Sequence, residues 1–256
     1  MELVDSHAHI DVAEFDADRD AVLARARGAG VTRQIVPAIA WDGFARLRDL
    51  CRPETGLHPA YGLHPMYLAE HRDWHLEELG TWIEREHPVA VGECGLDFHV
   101  EGLDPEVQRP YFRRQLQIAA EFDLPVVLHA RRAVDEVIAT LRAVGGLRGV
   151  VHSFSGSPEQ AQQLWKLGFC VGIGGPVTYE RARRLRQIVA SMPLEYLLLE
   201  TDSPDQPLHG HQGARNEPAL LAEVCTCVAA LRGVAADEIA AATTRNAQRL
   251  FGLPAG

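Results

Sequence analysis

Short apolar runs rich in Val, Ile and Leu recur along the chain, at Leu3–His7, Thr32–Pro37, Ala60–Leu63, Val89–Glu93, Val126–His129, Val150–His152, Cys170–Ile173 and Tyr196–Glu200. Nearly all are too short for helices, and their β-branched content favours strands. Between them, longer stretches carry apolar residues at helical spacing: Asp18–Arg27, His75–Glu86, Glu106–Phe122, Ala133–Val144, Pro158–Leu167, Arg181–Ala190 and Glu217–Leu231. Strand and helix alternate throughout. Several strands read apolar on both faces, as they do when one face lines a barrel interior and the other meets a coat of helices. Eight such units predict a TIM-like (β/α)8 barrel of the α/β class. The alternative is an open doubly wound sheet, which binds its ligand at one switch point. Neither G-x-G-x-x-G nor a P-loop follows the first run, and no repeat or Pro/Gly/Ser-rich linker divides the chain, so residues 1–256 read as one domain.

Composition narrows the class. A 256-residue chain with 46% hydrophobic residues can bury a sizeable core. Its formal net charge of −10 offers no general attraction for nucleic acid or an anionic membrane, so a polyanionic partner needs local positive charge. Five cysteines with no C-x-x-C pair fit reduced thiols and a cytoplasmic location. The N-terminus has no basic segment leading into an apolar stretch, and no window nears the roughly 18 apolar residues of a membrane span.

In such a barrel, catalytic residues sit at the C-terminal ends of strands. "VDSHAHID" places His7 and His9 there after strand one, with Asp5, His7 and His9 on one face if the strand continues. "GLHP" places His64 after strand three and "VGECGLD" places Glu93 at the end of strand four. "VVLHARR" adds His129 and Arg131, "VVHSFSG" adds His152, and "LLLETDSP" adds Glu200 and Asp202. Imidazoles and carboxylates converging on one rim repel and desolvate one another unless a cation joins them, whereas nitrogen and oxygen ligation of a divalent metal satisfies them all.

His7, His9, Glu93, His129, His152 and Asp202 are therefore the expected metal ligands. Six are too many for one tetrahedral ion with an open position, so two ions sharing a bridging carboxylate is the economical reading. Glu93, entering mid-barrel, is the bridge. A carboxylated lysine could serve elsewhere, but the only lysine is Lys166, in a helical stretch. Glu93 and Asp202 are the expected catalytic carboxylates, with Asp202 binding metal, orienting the attacking water or accepting its proton. His64 and Arg131 could hold an anionic oxygen of the substrate.

Other candidates read as structural. His209 and His211 form a second H-x-H pair in a Gly/Pro-containing loop, and His58, His71, His75, His87 and His99 read as surface or supporting residues. Cys225 and Cys227 diverge on a helix, and Cys94 should face the helices. Glu200 is read as a salt-bridged barrel residue or a support for the site.

These motifs resemble the TatD family of metal-dependent deoxyribonucleases, within the amidohydrolase-like TIM barrels. "DSHAHID", "YGLHP", "AVGECGLDF", "LPVVLHARRA", "VVHSFSGS", "LGFCVGIGGPVTY", "LLLETDSP", "RNEP" and "TRNAQRLFGL" follow the family's order nearly end to end. By this resemblance the six ligands match the family's metal ligands, His64 and Arg131 match positions that hold the scissile phosphate, and Mg²⁺, Mn²⁺ or Zn²⁺ is the implied cofactor. After "TDSP" the chain departs with "DQPLHGHQG", which resembles a YjjV-type branch of metal-dependent hydrolases; the loop Asp205–Gly213 thus bears on the substrate. The leading expectation is hydrolysis of phosphodiester bonds at a DNA end, with two divalent ions offsetting the acidic surface locally. Hydrolysis of a small phosphoester, lactone or amide is the alternative, and a non-catalytic metal-binding scaffold comes last. No obligate protein partner is implied.

Overall fold

The computed structural model describes residues 1–52 and 55–254. Its strands are β1 (Leu3–Asp5), β2 (Val31–Pro37), β3 (Leu57–Tyr61), β4 (Ala90–Asp97), β5 (Val126–Arg131), β6 (Gly149–Val151), β7 (Phe169–Ile173) and β8 (Leu197–Leu199). They form one sheet in chain order, each strand parallel to the next. At the seam, the Ser6 N–H donates to the Leu199 carbonyl and the Asp202 N–H to the His7 carbonyl, both at 2.9 Å. This is the nearly closed (β/α)8 barrel that the alternation predicts.

The helices are α1 (Arg19–Gly28), α2 (Phe44–Leu50), α3 (Asp73–Glu86), α4 (Pro105–Glu121), α5 (Val134–Val144), α6 (Pro158–Lys166), α7 (Arg183–Ser191), α8 (Leu221–Arg232) and α9 (Ala236–Phe251). Three of them, α3, α4 and α6, start with a side-chain cap. Asp104 caps α4 by accepting the Glu106 N–H, and Ser157 and Gln160 form a reciprocal capping box on α6.

Two apolar clusters result. The larger lies between strands and helices. The smaller draws one residue from each strand (Val4, Ile35, Ala60, Ala90, Val127, Val150, Cys170 and Leu198) and is joined by Ala247, Leu250, Phe251 and Leu253. It is the barrel interior, closed at the N-terminal end of the strands by α9. Cys94 belongs to the outer cluster, as its position beside Glu93 predicts.

Three features depart from the sequence pattern. α2 and α9 were not expected. β4 runs on past Glu93 to Asp97, with a register shift against β5 between Val91 and Cys94; such a bulge re-aims a side chain, here at the barrel mouth. β1 ends at Asp5, so His7 and His9 lie beyond the strand. The chain there still alternates its partners: the Ala8 N–H donates to Ile35 O on β2, and the His9 N–H to Ser203 O beyond β8. Gly95, at φ +147°, lets β4 approach β5, since a Cβ there would stand 2.0 Å from the His129 carbonyl oxygen. Among the described residues no single helix is long and apolar enough to cross a membrane.

Candidate metal centre

Glu93 stands at the middle of the C-terminal mouth, 1% exposed, and its two oxygens face different groups. Oε1 lies 2.9 Å from His64 Nε2, 3.0 Å from His129 Nδ1 and 2.8 Å from His152 Nε2. Oε2 lies 3.1 Å from His7 Nε2 and 3.5 Å from His9 Nε2. Asp202 Oδ1 completes the second group, 3.5 Å from His7 Nε2 and 3.8 Å from His9 Nε2. The His7 and His152 rings stack at 3.9 Å. Every residue expected as a ligand is thus in one cluster. Arg131, exposed, lines the same cleft of about 570 Å³.

Neighbouring groups decide which nitrogen of each ring is free. His9 Nδ1 donates to the Pro37 carbonyl at 3.2 Å, leaving the Nε2 lone pair for a cation. His129 Nε2 donates to Asp97 Oδ2 at 2.8 Å, leaving Nδ1. His64 is different. Its Nδ1 accepts the Met66 N–H at 3.1 Å, so Nε2 carries the hydrogen and donates to Glu93 Oε1. His64 therefore enters the cluster as a hydrogen-bond donor and also caps the turn that follows it.

Sequence reasoning missed Asp97. It is fully buried, and although burial raises its pKa, the hydrogen bonds from His129 and from the His99 and Val100 N–H groups prevail and hold it near 2. The period-two spacing Glu93, Gly95, Asp97 was the available signal. Gln206 was also missed: its Nε2 donates to Asp202 Oδ2 at 2.5 Å and to Ser153 Oγ at 2.8 Å, so the unusual loop after Asp202 braces that carboxylate.

Glu200 has no arginine or lysine partner among the described residues; its ion-pair neighbour there is His152, so it supports the site. Its Oε1 accepts the Ser153 N–H at 2.5 Å and lies 3.8 Å from His152 Nδ1, and burial lifts its pKa to about 8. Asp5 lies outside the cluster and fastens the seam, accepting the His7 and Thr201 N–H groups and the Thr201 hydroxyl, the last at 2.6 Å. His71 and His75 are buried and not on the surface. His209 packs on Tyr179, and His211 lies 3.3 Å from Glu223, so neither joins the cluster.

The donor set fits divalent cations on its own chemistry. Glu93 Oε2 is buried without a hydrogen-bond partner, an isolated acceptor facing two imidazoles. Two subsets, His7–Glu93–His152 and His7–His9–Asp202, each bring their donor atoms within 4.8 Å of one another; a third, His64–Glu93–His129, is as close, but there His64 acts as hydrogen-bond donor. Charge shows the same demand. Burial raises the Glu93 pKa, but His152, His64 and His7 prevail and hold it well below the usual carboxylate range. Burial disfavours charged imidazoles, yet Glu93 lifts His152 to about 10, and Glu93 with Asp202 lifts His9 to about 9. The carboxylates thus draw protons that a cation at the same donors would displace.

Such a cluster on the C-terminal rim of a (β/α)8 barrel defines a metal-dependent hydrolase site. The family model described as TatD related DNase matches residues 4–252. The chain belongs to the TatD family of metal-dependent hydrolases. It is 44% identical over 256 residues to "uncharacterized metal-dependent hydrolase YjjV" of Escherichia coli (strain K12), with 98% of each chain covered. It is 35% identical over 263 residues to "3'-5' ssDNA/RNA exonuclease TatD" of Erwinia tasmaniensis, covering 98% of this chain and 100% of that one. The crystal structure of the E. coli YjjV TatD homologue superposes with a TM-score of 0.95, at 42% identity over 98% of each chain.

Proposed function

We propose that this protein hydrolyses phosphodiester bonds at the end of a single-stranded DNA. The observation that carries the reading is the division of Glu93, one oxygen toward His7 and His9 and the other toward His129 and His152. In this reading His7, His9, Asp202 and Glu93 would hold one divalent ion, and Glu93, His129 and His152 would hold a second. When bound, such ions supply Lewis-acid polarisation of a phosphoryl oxygen and a water acidic enough to attack at neutral pH.

The chain's own groups do the rest. The Arg131 guanidinium holds non-bridging oxygens of the scissile phosphate, and the His64 Nε2–H, which donates to Glu93 Oε1 before substrate enters, turns to the same phosphate when it does. Asp202, braced through Oδ2 by Gln206, presents Oδ1 to orient the attacking water and accept its proton. The exonuclease name of the Erwinia relative supports DNA as substrate. The net charge of −10 favours a second reading, a small phosphoester.

The test uses protein loaded in turn with Mg²⁺, Mn²⁺ and Zn²⁺, supplied with end-labelled single-stranded oligonucleotides and a panel of phosphomonoesters, phosphotriesters and lactones. Stepwise shortening of the oligonucleotide, lost in Glu93→Gln, is expected. Intact oligonucleotides alongside turnover of a small ester would transfer the assignment to the second reading.

A further inference from the structure

Ser153 and Ser155 form a wall between the metal-centre cleft and a second cavity of about 380 Å³. Pro176 and Leu185, over the buried Phe154 and Ile173, give this cavity an apolar floor, and Arg181, Arg183 and Arg184 give it a cationic rim; among the described residues no carboxylate lines it. Some arginines of this acidic chain sit against acids, as Arg19 does with Asp16, Arg25 with Glu217, Arg109 with Glu136 and Arg215 with Asp18. Among the described residues Arg181, Arg183 and Arg184 make no such pair, although all three are exposed. Arg184 Nη2 donates to the Ser155 carbonyl at 2.9 Å, which holds one guanidinium at the wall itself.

The wall is firm. Ser153 has φ +46°, an uncommon conformation for a serine, and is held there by Glu200 through its N–H and by Gln206 through its hydroxyl. Two cavities with a fixed ridge between them, one a hydrolytic centre and the other apolar below and cationic above, suit two successive units of a substrate. An apolar floor accepts the face of a base, and unpaired guanidinium groups accept a phosphate in forked geometry.

We propose that this second cavity is the subsite for the nucleotide adjoining the scissile bond, with its base on Pro176 and Leu185 and its non-scissile phosphate on Arg181, Arg183 and Arg184. The proposal rests on the phosphodiester reading and adds to it the place where the neighbouring nucleotide binds. It also gives an acidic protein the local positive charge that a polyanion requires.

The test is fluorescence anisotropy of labelled (dT)4 with a cleavage-resistant phosphorothioate backbone on metal-loaded protein, with and without Arg181→Ala/Arg183→Ala, across a salt series; the unmodified oligonucleotide serves for cleavage. The double substitution is expected to weaken binding by about tenfold or more, to flatten the plot of log affinity against log salt, and to leave the thermal midpoint unchanged. Equal binding and an equal salt slope would overturn the subsite. Cleavage of the unmodified oligonucleotide by wild-type protein is read separately: arginine-dependent binding without cleavage keeps the subsite and removes the hydrolytic reading, whereas cleavage with arginine-independent binding does the reverse.

Discussion

Asp97 Oδ2 stands 2.8 Å from His129 Nε2, on the far side of the imidazole from Glu93, which meets Nδ1 at 3.0 Å. The carboxylate thereby fixes the ring's orientation and its free lone pair. Asp97→Asn keeps the shape but offers an amide where a carboxylate accepted a proton. Its expected effect is a 10- to 100-fold loss of divalent-ion affinity. Isothermal titration with Mn²⁺ or Zn²⁺ measures it, and unchanged affinity would exclude a positioning role.

Metal should stabilise the fold measurably. An ion that binds only the native state at a hundred times its dissociation constant contributes about 2.7 kcal/mol, or a rise of roughly 5 to 10 °C in thermal midpoint for a chain of this size. Scanning calorimetry of chelator-treated protein before and after adding Zn²⁺ or Mn²⁺ should show the rise. Glu93→Gln should show little of it.

Gly172 leaves room for Glu200. A Cβ at that position would lie 2.0 Å from Glu200 Oε2 and 2.6 Å from its Cδ, so Gly172→Ala must push the carboxyl away from the Ser153 N–H. The expected cost is about 1–3 kcal/mol, as for other overpacked interiors, read as a lower urea midpoint. A midpoint equal to wild type would mean that Glu200 moves without loss.

His71 supplies a pH dependence of stability. Its Nε2 donates to the His64 carbonyl at 2.9 Å while its buried Nδ1 has no partner, and burial lowers its pKa from 6.5 to about 4. The unfolded chain therefore binds the extra proton first as pH falls. The neutral form's contribution is complete above about pH 6.5 and declines as pH drops toward 4, by about 3 kcal/mol at most. Urea midpoints of wild type and His71→Gln at pH 7.5 and 5 should converge on acidification; parallel midpoints would rule His71 out.

The alternation of strands and helices was legible because buried parallel strands carry apolar residues on both faces. α9 was not, because its inner face mixes apolar residues with buried polar ones that serve backbone groups. Asn246 Nδ2 donates to the Leu194 and Leu197 carbonyls, and Thr244 to that of Glu2. α2 escaped notice because seven residues hold too little periodicity to register. In the site, strand ends gave the candidate ligands, since each closes an apolar run. Asp97 is hidden because the apolar run of β4 ends at Glu93, and Arg181, Arg183 and Arg184 read as an ordinary helix start. Their distinction is that all three line one cavity beside the site, which spacing along a chain does not encode.

The seam joining β8 to β1 also sets an order of events during synthesis. His7 and His9 leave the ribosome well before the groups that position them, Leu199, Thr201, Asp202 and Ser203, which follow nearly 200 residues later. Until those arrive, the first strand has a neighbour on one side only and its histidines have no Asp202 opposite. The centre is therefore completed late in translation, and a chain stopped before Asp202 would carry most of the barrel and none of the finished site.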